Sequence, residues 1–373
     1  MNNLRALRVE PTPTTPNLIG GFSGNSVLPG AFGATIAGGG EAGEINRVNA
    51  NFGTVSGGHG NTVYKIGGSV AGGSFNTASG NYAVVSGGSQ NVASSFFATV
   101  SGGWANMVTA QHGAIGGGWQ NLASGEFSTV SGGRRNEATG DHSTVNGGWL
   151  NMATGDHSSV GGGFHNLASG YLSTVGGGYR SIASGDYSFV VGRRARNMDA
   201  SHNGVFMFAD STNGDFFSTA ADQFNVRASG GYRLFSNAEL TAGVALAAGS
   251  GSWSSVSDRN IKANFGIVDK VQLLDALAGM PVFTWNMQAQ SEDVRHIGPV
   301  AQDFHASFGY LFGGVESPLH INTMDALGVS LAASQGLYTL VQDQAEQIGR
   351  LQDEVGHLQA RLEALERRVQ GHP

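Results

Sequence analysis

A 15-residue period runs through ten consecutive units of the chain. Three columns of this repeat keep their residue type: a Gly-Gly pair, a β-branched apolar residue and an asparagine. The Gly-Gly pairs begin at Gly57, Gly72, Gly87, Gly102, Gly117, Gly132, Gly147, Gly162 and Gly177. The apolar column is Val55, Val70, Val85, Val100, Ile115, Val130, Val145, Val160, Val175 and Val190. The asparagine column is Asn61, Asn76, Asn91, Asn106, Asn121, Asn136, Asn151 and Asn166, followed by Ser181. A helical repeat needs about 33 residues or more for two helices, so each unit has room for one coil of extended chain.

The repeat therefore predicts a mainly β fold, a parallel β-roll or β-solenoid with 15-residue coils. Each coil reads as a short strand, a glycine corner, a second short strand and a second corner, because glycine accepts the positive φ of tight corners. Stacking places each Val on the Val of the next coil and builds a continuous core. The asparagines are expected to form a hydrogen-bonded ladder, and Val100, Ile115, Val130 and Val145 to share one interior column. Ten coils at about 4.8 Å each would span about 48 Å.

Composition excludes several kinds of function. Glycine accounts for 60 of 373 residues and charged residues for only 13%, which is unlike an ordinary globular enzyme. A net charge of -7 gives no basic surface for nucleic acid, and the absence of cysteine excludes thiol chemistry and disulfides. The N-terminus shows no secretory signal and no stretch is apolar enough for a membrane helix. No cofactor is expected.

One column of aromatic residues follows the Gly-Gly pairs: Trp104, Trp119, Trp149, Phe164 and Tyr179, interrupted by Arg134. These rings are candidates for stacking on a glycan, or for packing between coils or between subunits. A second column contains His112, His142 and His157. No metal site is predicted there, because no cysteine or carboxylate recurs beside these histidines to complete one.

The repeats share the core A-S-G-x-x-S-x-V-x-G, as in Ala183–Gly192. Over residues 34–198 they resemble the head repeats of trimeric autotransporter adhesins, although each coil is one residue longer than is usual for those heads. The resemblance implies a left-handed parallel β-roll that assembles as a homotrimer. Residues 199–256 lose the period and are expected to form a β transition that caps the last coil.

A different kind of sequence begins at Ser257. Ser257-Asp258 is followed by Lys262, and Gly298-Pro299-Val300-Ala301-Gln302-Asp303 comes later. Over residues 257–367 the chain resembles the intramolecular chaperone domain at the end of phage endosialidase tailspikes. Its S-D-x-x-x-K signature is matched without a gap, and its G-F-I-A-Q-[DE] box is matched with Pro299 in place of Phe. A small α+β chaperone domain is expected at 257–330.

The resemblance implies a serine-lysine dyad of Ser257 and Lys262 that cleaves the chain once, between Ser257 and Asp258. The chain has only three lysines, Lys65, Lys262 and Lys270, so a lysine at this spacing is informative. The chemistry requires an uncharged lysine, and Lys262 must therefore be withdrawn from water. A surface Ser-Asp turn followed by an exposed lysine is the alternative interpretation.

Heptads predict a coiled coil at 331–373. Its core positions are Leu337, Val341, Gln344, Ile348, Leu351, Val355, Leu358, Leu362, Leu365 and Val369. β-branched residues alternating with leucine favour a parallel dimer, whereas both resemblances imply a trimer. The trimer is the prediction, and a dimer is the alternative that the heptads leave open.

These features favour a trimeric fibre or spike of a phage, or of a phage-derived injection machine, assembled in the cytoplasm. A cell-surface glycan or receptor is the expected ligand, and residues 1–33 are expected to attach the fibre to a baseplate or another fibre protein. Alternatives are a trimeric bacterial surface adhesin, which would need a signal peptide and a membrane anchor, and a glycan-degrading spike. The second alternative lacks an obvious pair of catalytic carboxylates.

Overall fold

The computed structural model describes residues 6–311 and 317–371, which form two compact units, Met1–Val256 and Ser257–Pro373. Residues 1–5 of the predicted attachment segment, 312–316 of the predicted chaperone domain and 372–373 of the predicted coiled coil lie outside the described residues. The predicted fold class is confirmed: a mainly β parallel solenoid of about 14 turns precedes a small α/β region and a C-terminal helix. The homotrimer stays a prediction.

The first unit is a solenoid in which each coil contributes one strand to each of two parallel sheets. The parallel strands of the first sheet are Asn17–Gly20, Thr35–Ile36, Thr54–Val55, Ser69–Val70, Val84–Val85, Thr99–Val100, Ala114–Ile115, Thr129–Val130, Thr144–Val145, Ser159–Val160, Thr174–Tyr179, Phe189–Arg193, Phe206–Ala209 and Phe224–Arg227. Those of the second sheet are Ser26–Val27, Arg47–Val48, Thr62–Val63, Thr77–Ala78, Val92–Ala93, Met107–Val108, Leu122–Ala123, Glu137–Ala138, Met152–Ala153, Leu167–Ala168, Ile182–Ala183, Ala195–Asn197 and Phe216–Phe217.

The core of the solenoid is built from two facing columns. In the first sheet, Val100, Ile115, Val130 and Val145 lie in one interior column and are at most 1% exposed, as predicted. The second sheet supplies mostly alanines, which let the two sheets approach closely. In the 15-residue coils the second residue of each two-residue strand points inward, so the first points outward. Each coil thus buries its apolar surface against the coils before and after it.

The asparagine ladder runs through side chain to backbone hydrogen bonds. The backbone N–H of Asn136 donates to Oδ1 of Asn121 in the preceding coil, at 2.9 Å. Nδ2 of Asn121 donates to the carbonyl oxygens of Gly117 and Gly133, also in successive coils. Direct amide to amide bonds occur at few steps, such as Asn121 to Asn106. The fully buried amides thereby satisfy backbone groups at the corner, where no strand partner is available.

Two kinds of corner differ in how they use glycine. The second glycine of each Gly-Gly pair has a positive φ, which is +88° at Gly103. Gly103 also lies close to the backbone of the next coil. A Cβ there would lie 2.2 Å from the carbonyl oxygen of Gly118. At the other corner Gly125 has an ordinary φ, and the positive φ falls on Phe127, at 55°. Glycine is required at Gly125 because a Cβ would collide with the backbone at Gly140.

Both ends of the solenoid depart from the 15-residue period. Strand Leu7–Glu10 pairs antiparallel with Asn17–Gly20, so coiling begins within the segment predicted to serve attachment. After residue 198 the coils lengthen, yet Phe206–Ala209 and Phe224–Arg227 continue the first sheet in parallel. An antiparallel sheet of Gly231–Phe235, Gly243–Ala247 and Ser254–Ser255 follows.

Ion pairs hold the long coils at the C-terminal end of the solenoid. The backbone N–H of Ser229 donates to Asp210 at 2.6 Å and holds the pKa of that carboxyl well below its usual range. Arg227 Nε also donates to Asp210, at 3.1 Å, and Arg227 bonds the carbonyls of three other residues. A hydrogen bond from Arg194 lowers the pKa of Asp215 in the same way.

The second unit contains helices α1 (Lys270–Gly279), α2 (Ala301–Phe308) and α3 (Thr323–Gln370), a 3-10 turn at Arg259–Ile261, and strands Phe283–Trp285 and His296–Gly298. Its small core consists of Leu273, Met280, Phe304, Phe308, Val329 and Ala333. The two strands form an antiparallel pair. Gly336 permits α3 to approach α1, because a Cβ there would lie 2.9 Å from Leu274 Cδ1.

Helix α3 extends beyond this core as one continuous helix of 48 residues. Its N-cap Asn322 accepts a hydrogen bond from the backbone N–H of Met324. The apolar heptad positions are all more than half exposed, from 51% at Val355 to 78% at Val369. Among the described residues, no helix combines the length and the apolar character that crossing a bilayer requires.

Candidate functional site

The Ser257 and Lys262 side chains meet across one short turn. Asp258 caps the 3-10 turn, and its Oδ1 accepts the backbone N–H of Asn260 at 2.9 Å. Lys262 closes the turn, with its N–H donating to the carbonyl of Arg259. This turn reverses the chain, and Lys262 Nζ lies 2.7 Å from Ser257 Oγ in a hydrogen bond. One 3-10 turn between Ser257 and Lys262 therefore brings two side chains that are five residues apart into contact.

Both members of this pair are exposed to solvent in the single chain. The neighbouring apolar side chains are exposed as well: Ile261 is 42% exposed, Phe265 63% and Ile267 fully exposed. Arg259 lies over the ring of Phe265, with 4.9 Å from its Cζ to the ring centroid. Several exposed apolar residues close in sequence to this pair are typical of a surface that is covered on assembly.

The rest of the second unit contains the other matched motif. Gly298 ends the strand His296–Gly298, Pro299 and Val300 form the connection, and Ala301-Gln302-Asp303 begins helix α2. Asp303 lies in the first turn of that helix, where a carboxylate is favourable. This box therefore forms a strand to helix junction beside the small core, which is a structural role.

Comparison with known families gives one match, and it falls on this unit. Residues 257–311 match the Peptidase_S74 family, described as the chaperone of endosialidase. The match begins at Ser257 and includes Lys262 and the Gly298–Asp303 box, but it ends at residue 311, whereas the resemblance was predicted to extend to residue 367. No curated protein is significantly similar to the chain. The solenoid is therefore assigned by its structure alone, and the likeness to adhesin heads stays a prediction.

The predicted aromatic column forms a continuous stack along one corner of the solenoid. Each coil contributes one residue to this column, and a β-bridge joins it to the next: Trp104, Trp119, Arg134, Trp149, Phe164 and Tyr179. The rings of Trp104 and Trp119 stack at 5.6 Å, and Arg134 Cζ lies 3.8 Å from the Trp119 centroid. Phe164 packs on Trp149 at 4.7 Å and on Tyr179 at 5.4 Å.

This stacking occupies ring faces that a sugar would need. Trp149 and Trp104 remain 41% and 37% exposed within the stack. Most members of the column therefore pack between coils, and Trp104 differs in that its neighbour in the preceding coil, Ser89, offers neither a ring nor a guanidinium.

One group of potential metal ligands was not found from the sequence. Glu41, Glu44 and His59 have ligand atoms within 4.8 Å of one another, and His59 Nδ1 contacts Glu44 directly. Both glutamates lie in a short hairpin within a long coil between Ile36 and Thr54. A hydrogen bond between His59 and Glu44 accounts for this contact without a metal. The longer coil is the sequence signal that marks the place.

Proposed function

We propose that this chain is a trimeric fibre or tailspike protein of a phage or phage-derived injection machine. Its second unit would act as an intramolecular chaperone that assembles three chains and then cleaves itself off between Ser257 and Asp258. The observation that carries the proposal is the family match, which begins at Ser257, together with the 2.7 Å hydrogen bond between Lys262 Nζ and Ser257 Oγ.

Assembly follows from the exposed heptads of helix α3. A helix with more than half of every apolar heptad side chain in water is stabilised when other copies cover that stripe. Linking three chains through α3 raises the local concentration of their solenoids. This matters because similar coils can pair out of register, and a common starting point aligns the chains.

Assembly also provides the condition that cleavage needs. Lys262 is exposed in a single chain, where water reaches its side chain. Covering the apolar surface around it in the trimer would remove that water and favour the neutral amine. The dyad would therefore be inactive in the unassembled chain and become active after the three chains have come together.

The reaction is hydrolysis of one peptide bond. Attack of the Ser257 hydroxyl on its own carbonyl would close a four-membered ring, so the pair is better placed to activate a water molecule. Neutral Lys262 accepts a proton that is relayed through the Ser257 hydroxyl, and the water oxygen bonds to the carbonyl carbon of Ser257. The C–N bond then breaks and the proton passes to the leaving amine. The products are a carboxylate at Ser257 and a free amine at Asp258.

Three variants test cleavage, with a matched lysine control. Ser257→Ala, Lys262→Ala and Lys262→Arg should each remain at full length, because each removes one half of the proton-transfer pair, and guanidinium is not a base at neutral pH. Lys65→Ala, in the solenoid, should cleave like the wild type. Denaturing mass spectrometry reads the result. Cleavage in Lys262→Arg, or in Ser257→Ala, would contradict the assigned roles.

Removal of the chaperone would leave a solenoid fibre that is held kinetically, since the unit that nucleated its assembly is gone. Such a fibre suits a particle that carries it outside the cell, with the N-terminal end attached to a baseplate or another fibre protein. We favour this function over that of a free surface adhesin, because the match to the chaperone family lies in the second unit.

Binding of a cell-surface glycan is a second function that one observation favours. Trp104 ends the aromatic stack and has serines, Ser89 and Ser74, in the preceding coils. An aromatic face beside hydroxyl groups suits a sugar ring. Trp104→Ala should weaken binding on a glycan array, whereas Trp119→Ala should chiefly lower thermal stability. Equal glycan binding by wild type and Trp104→Ala would remove Trp104 from this role.

A further inference from the structure

The outward-facing rows of the two sheets differ in chemistry along the middle of the solenoid. In the second sheet the outward row is aliphatic with one exception. This row, the aliphatic strip, is Val92, Met107, Leu122, Glu137, Met152, Leu167 and Ile182. The outward row of the first sheet at the same level is Val84, Thr99, Ala114, Thr129, Thr144, Ser159 and Thr174.

The aliphatic strip has the features of a surface that is covered in the assembled protein. Met107 is 43% exposed, and the other members are half-buried, each paired with the corresponding residue of the adjacent coils. The strip is bounded by polar residues, with Thr77 before Val92 and Arg196 after Ile182. A largely apolar surface with polar residues at its ends is typical of an interaction site. The hydroxyl-rich row of the first sheet carries no such signal.

We propose that the aliphatic strip lines the three-fold axis of the fibre and packs against the same strip of two further copies of this chain. The proposal rests on the trimer of the proposed function and names the surface through which the solenoids meet. The Thr- and Ser-rich row of the first sheet then faces solvent. The contact would follow the axis for six coil steps, or about 29 Å.

A second copy fits this strip better than another protein does. Helix α3 leaves its heptad face uncovered and thus already requires further copies, and a parallel coiled coil would align the chains in the same direction. Copies that run parallel present the same coil spacing, so the strips match coil by coil. Near a three-fold axis each residue meets its own counterparts, and aliphatic residues are compatible with such self-contact.

Glu137 is the charged member of the aliphatic strip, and replacing it tests the proposal. At the axis, three Glu137 carboxylates would approach one another in an apolar setting, which is unfavourable. Glu137→Met should therefore raise the melting temperature of the trimer by about 3 °C or more. Thr144→Met, in the first sheet, should not raise it. An unchanged or lowered melting temperature for Glu137→Met would place this row in solvent and count against the proposal.

Because the chain lacks cysteine, a single introduced cysteine reports directly on contact between copies. Leu167→Cys tests the strip, and Thr174→Cys, in the first sheet of the same coil, is the matched control. Both are made in the Ser257→Ala background, which is expected to keep the chain whole. After mild oxidation, or treatment with a short bifunctional maleimide, denaturing gels measure covalent dimers, and native mass spectrometry measures the number of chains.

The expected result is cross-linking of about two thirds of the Leu167→Cys chains, because one disulfide uses two of the three thiols at an axis. Thr174→Cys should show none above background. A trimer in which Leu167→Cys links no better than Thr174→Cys would overturn the inference while leaving the proposed function intact. A trimer that links through Thr174→Cys would assign the contact to the first sheet and also overturn it. A monomer would overturn both.

Discussion

The solenoid and helix α3 bury their apolar side chains in opposite ways. In the solenoid, Val130 is fully buried against neighbouring coils of the same chain. In α3, Leu358 has the same hydrophobic character and is 56% exposed. The solenoid core is therefore complete within one chain, whereas the apolar stripe on α3 is left exposed. In the proposed assembly the coils account for folding and the helix accounts for association.

This comparison explains why the two regions tolerate change differently. Each coil of the solenoid depends on its immediate neighbours, so a defect is expected to act locally and to scale with the bonds it breaks. The proposed association through α3 depends on all of its apolar heptad positions and on all three copies of the chain. A single charge there is expected to affect all three chains together.

The largest effect is expected in α3. Leu358→Asp would place three carboxylates in the core of the helical bundle, where burying each ion costs several kcal/mol. The trimer should dissociate at micromolar concentration, as measured by light scattering. Ala360→Asp introduces the same residue on the outer face of the helix and should leave the mass unchanged. Equal behaviour of both variants would show that the stripe is not the association surface.

The next largest effect is expected at the glycine corner. Gly103→Ala combines a positive φ with a 2.2 Å clash against the next coil and should destabilise the solenoid by roughly 2–4 kcal/mol. Gly102→Ala is the control, because an added Cβ there meets nothing within 4 Å. Chemical denaturation measures both. Similar destabilisation by the two variants would mean that backbone stacking at Gly103 is not the constraint described above.

A smaller effect is expected in the asparagine ladder. Asn121→Ala removes the acceptor of the Asn136 N–H and the donor to the Gly133 carbonyl, which should cost roughly 2 kcal/mol. Gln120→Ala, next to it, removes only a surface hydrogen bond from Arg135 Nε and should cost about 0.5 kcal/mol. Hydrogen exchange of the Asn136 amide offers a local readout. Unchanged protection of that amide in Asn121→Ala would contradict the ladder.

The smallest effect is expected at the end of the solenoid. Because the pKa of Asp210 is depressed in the folded state, its stabilising contribution is present above the ordinary carboxyl pKa of about 4 and is lost as the pH falls below it. Asp210→Asn should therefore melt with a weaker dependence on pH between about 2 and 4. Identical slopes for the variant and the wild type would assign the acid sensitivity to other carboxyls, such as Asp215.

The 15-residue period made the solenoid predictable from the sequence. After residue 198, where the period is lost, the sequence no longer indicated the coils. The Val and Asn columns fix the coil because each residue repeats the same contact, whereas the long coils at Phe206–Ala209 and Phe224–Arg227 carry no period and were expected only as a β cap. The positive φ of Phe127 could not be read from the sequence, since aromatic residues rarely adopt it. The Ser257–Lys262 contact was expected from the motif, but its exposure was not.

The central claim is that the second unit assembles three chains and then cleaves itself from them, and intact mass tests it most directly. Wild-type protein should give two pieces under denaturing conditions, one ending at Ser257 and one beginning at Asp258. Under native conditions the N-terminal piece should have the mass of three chains. A wild-type protein that remains a full-length monomer under both conditions would contradict the account.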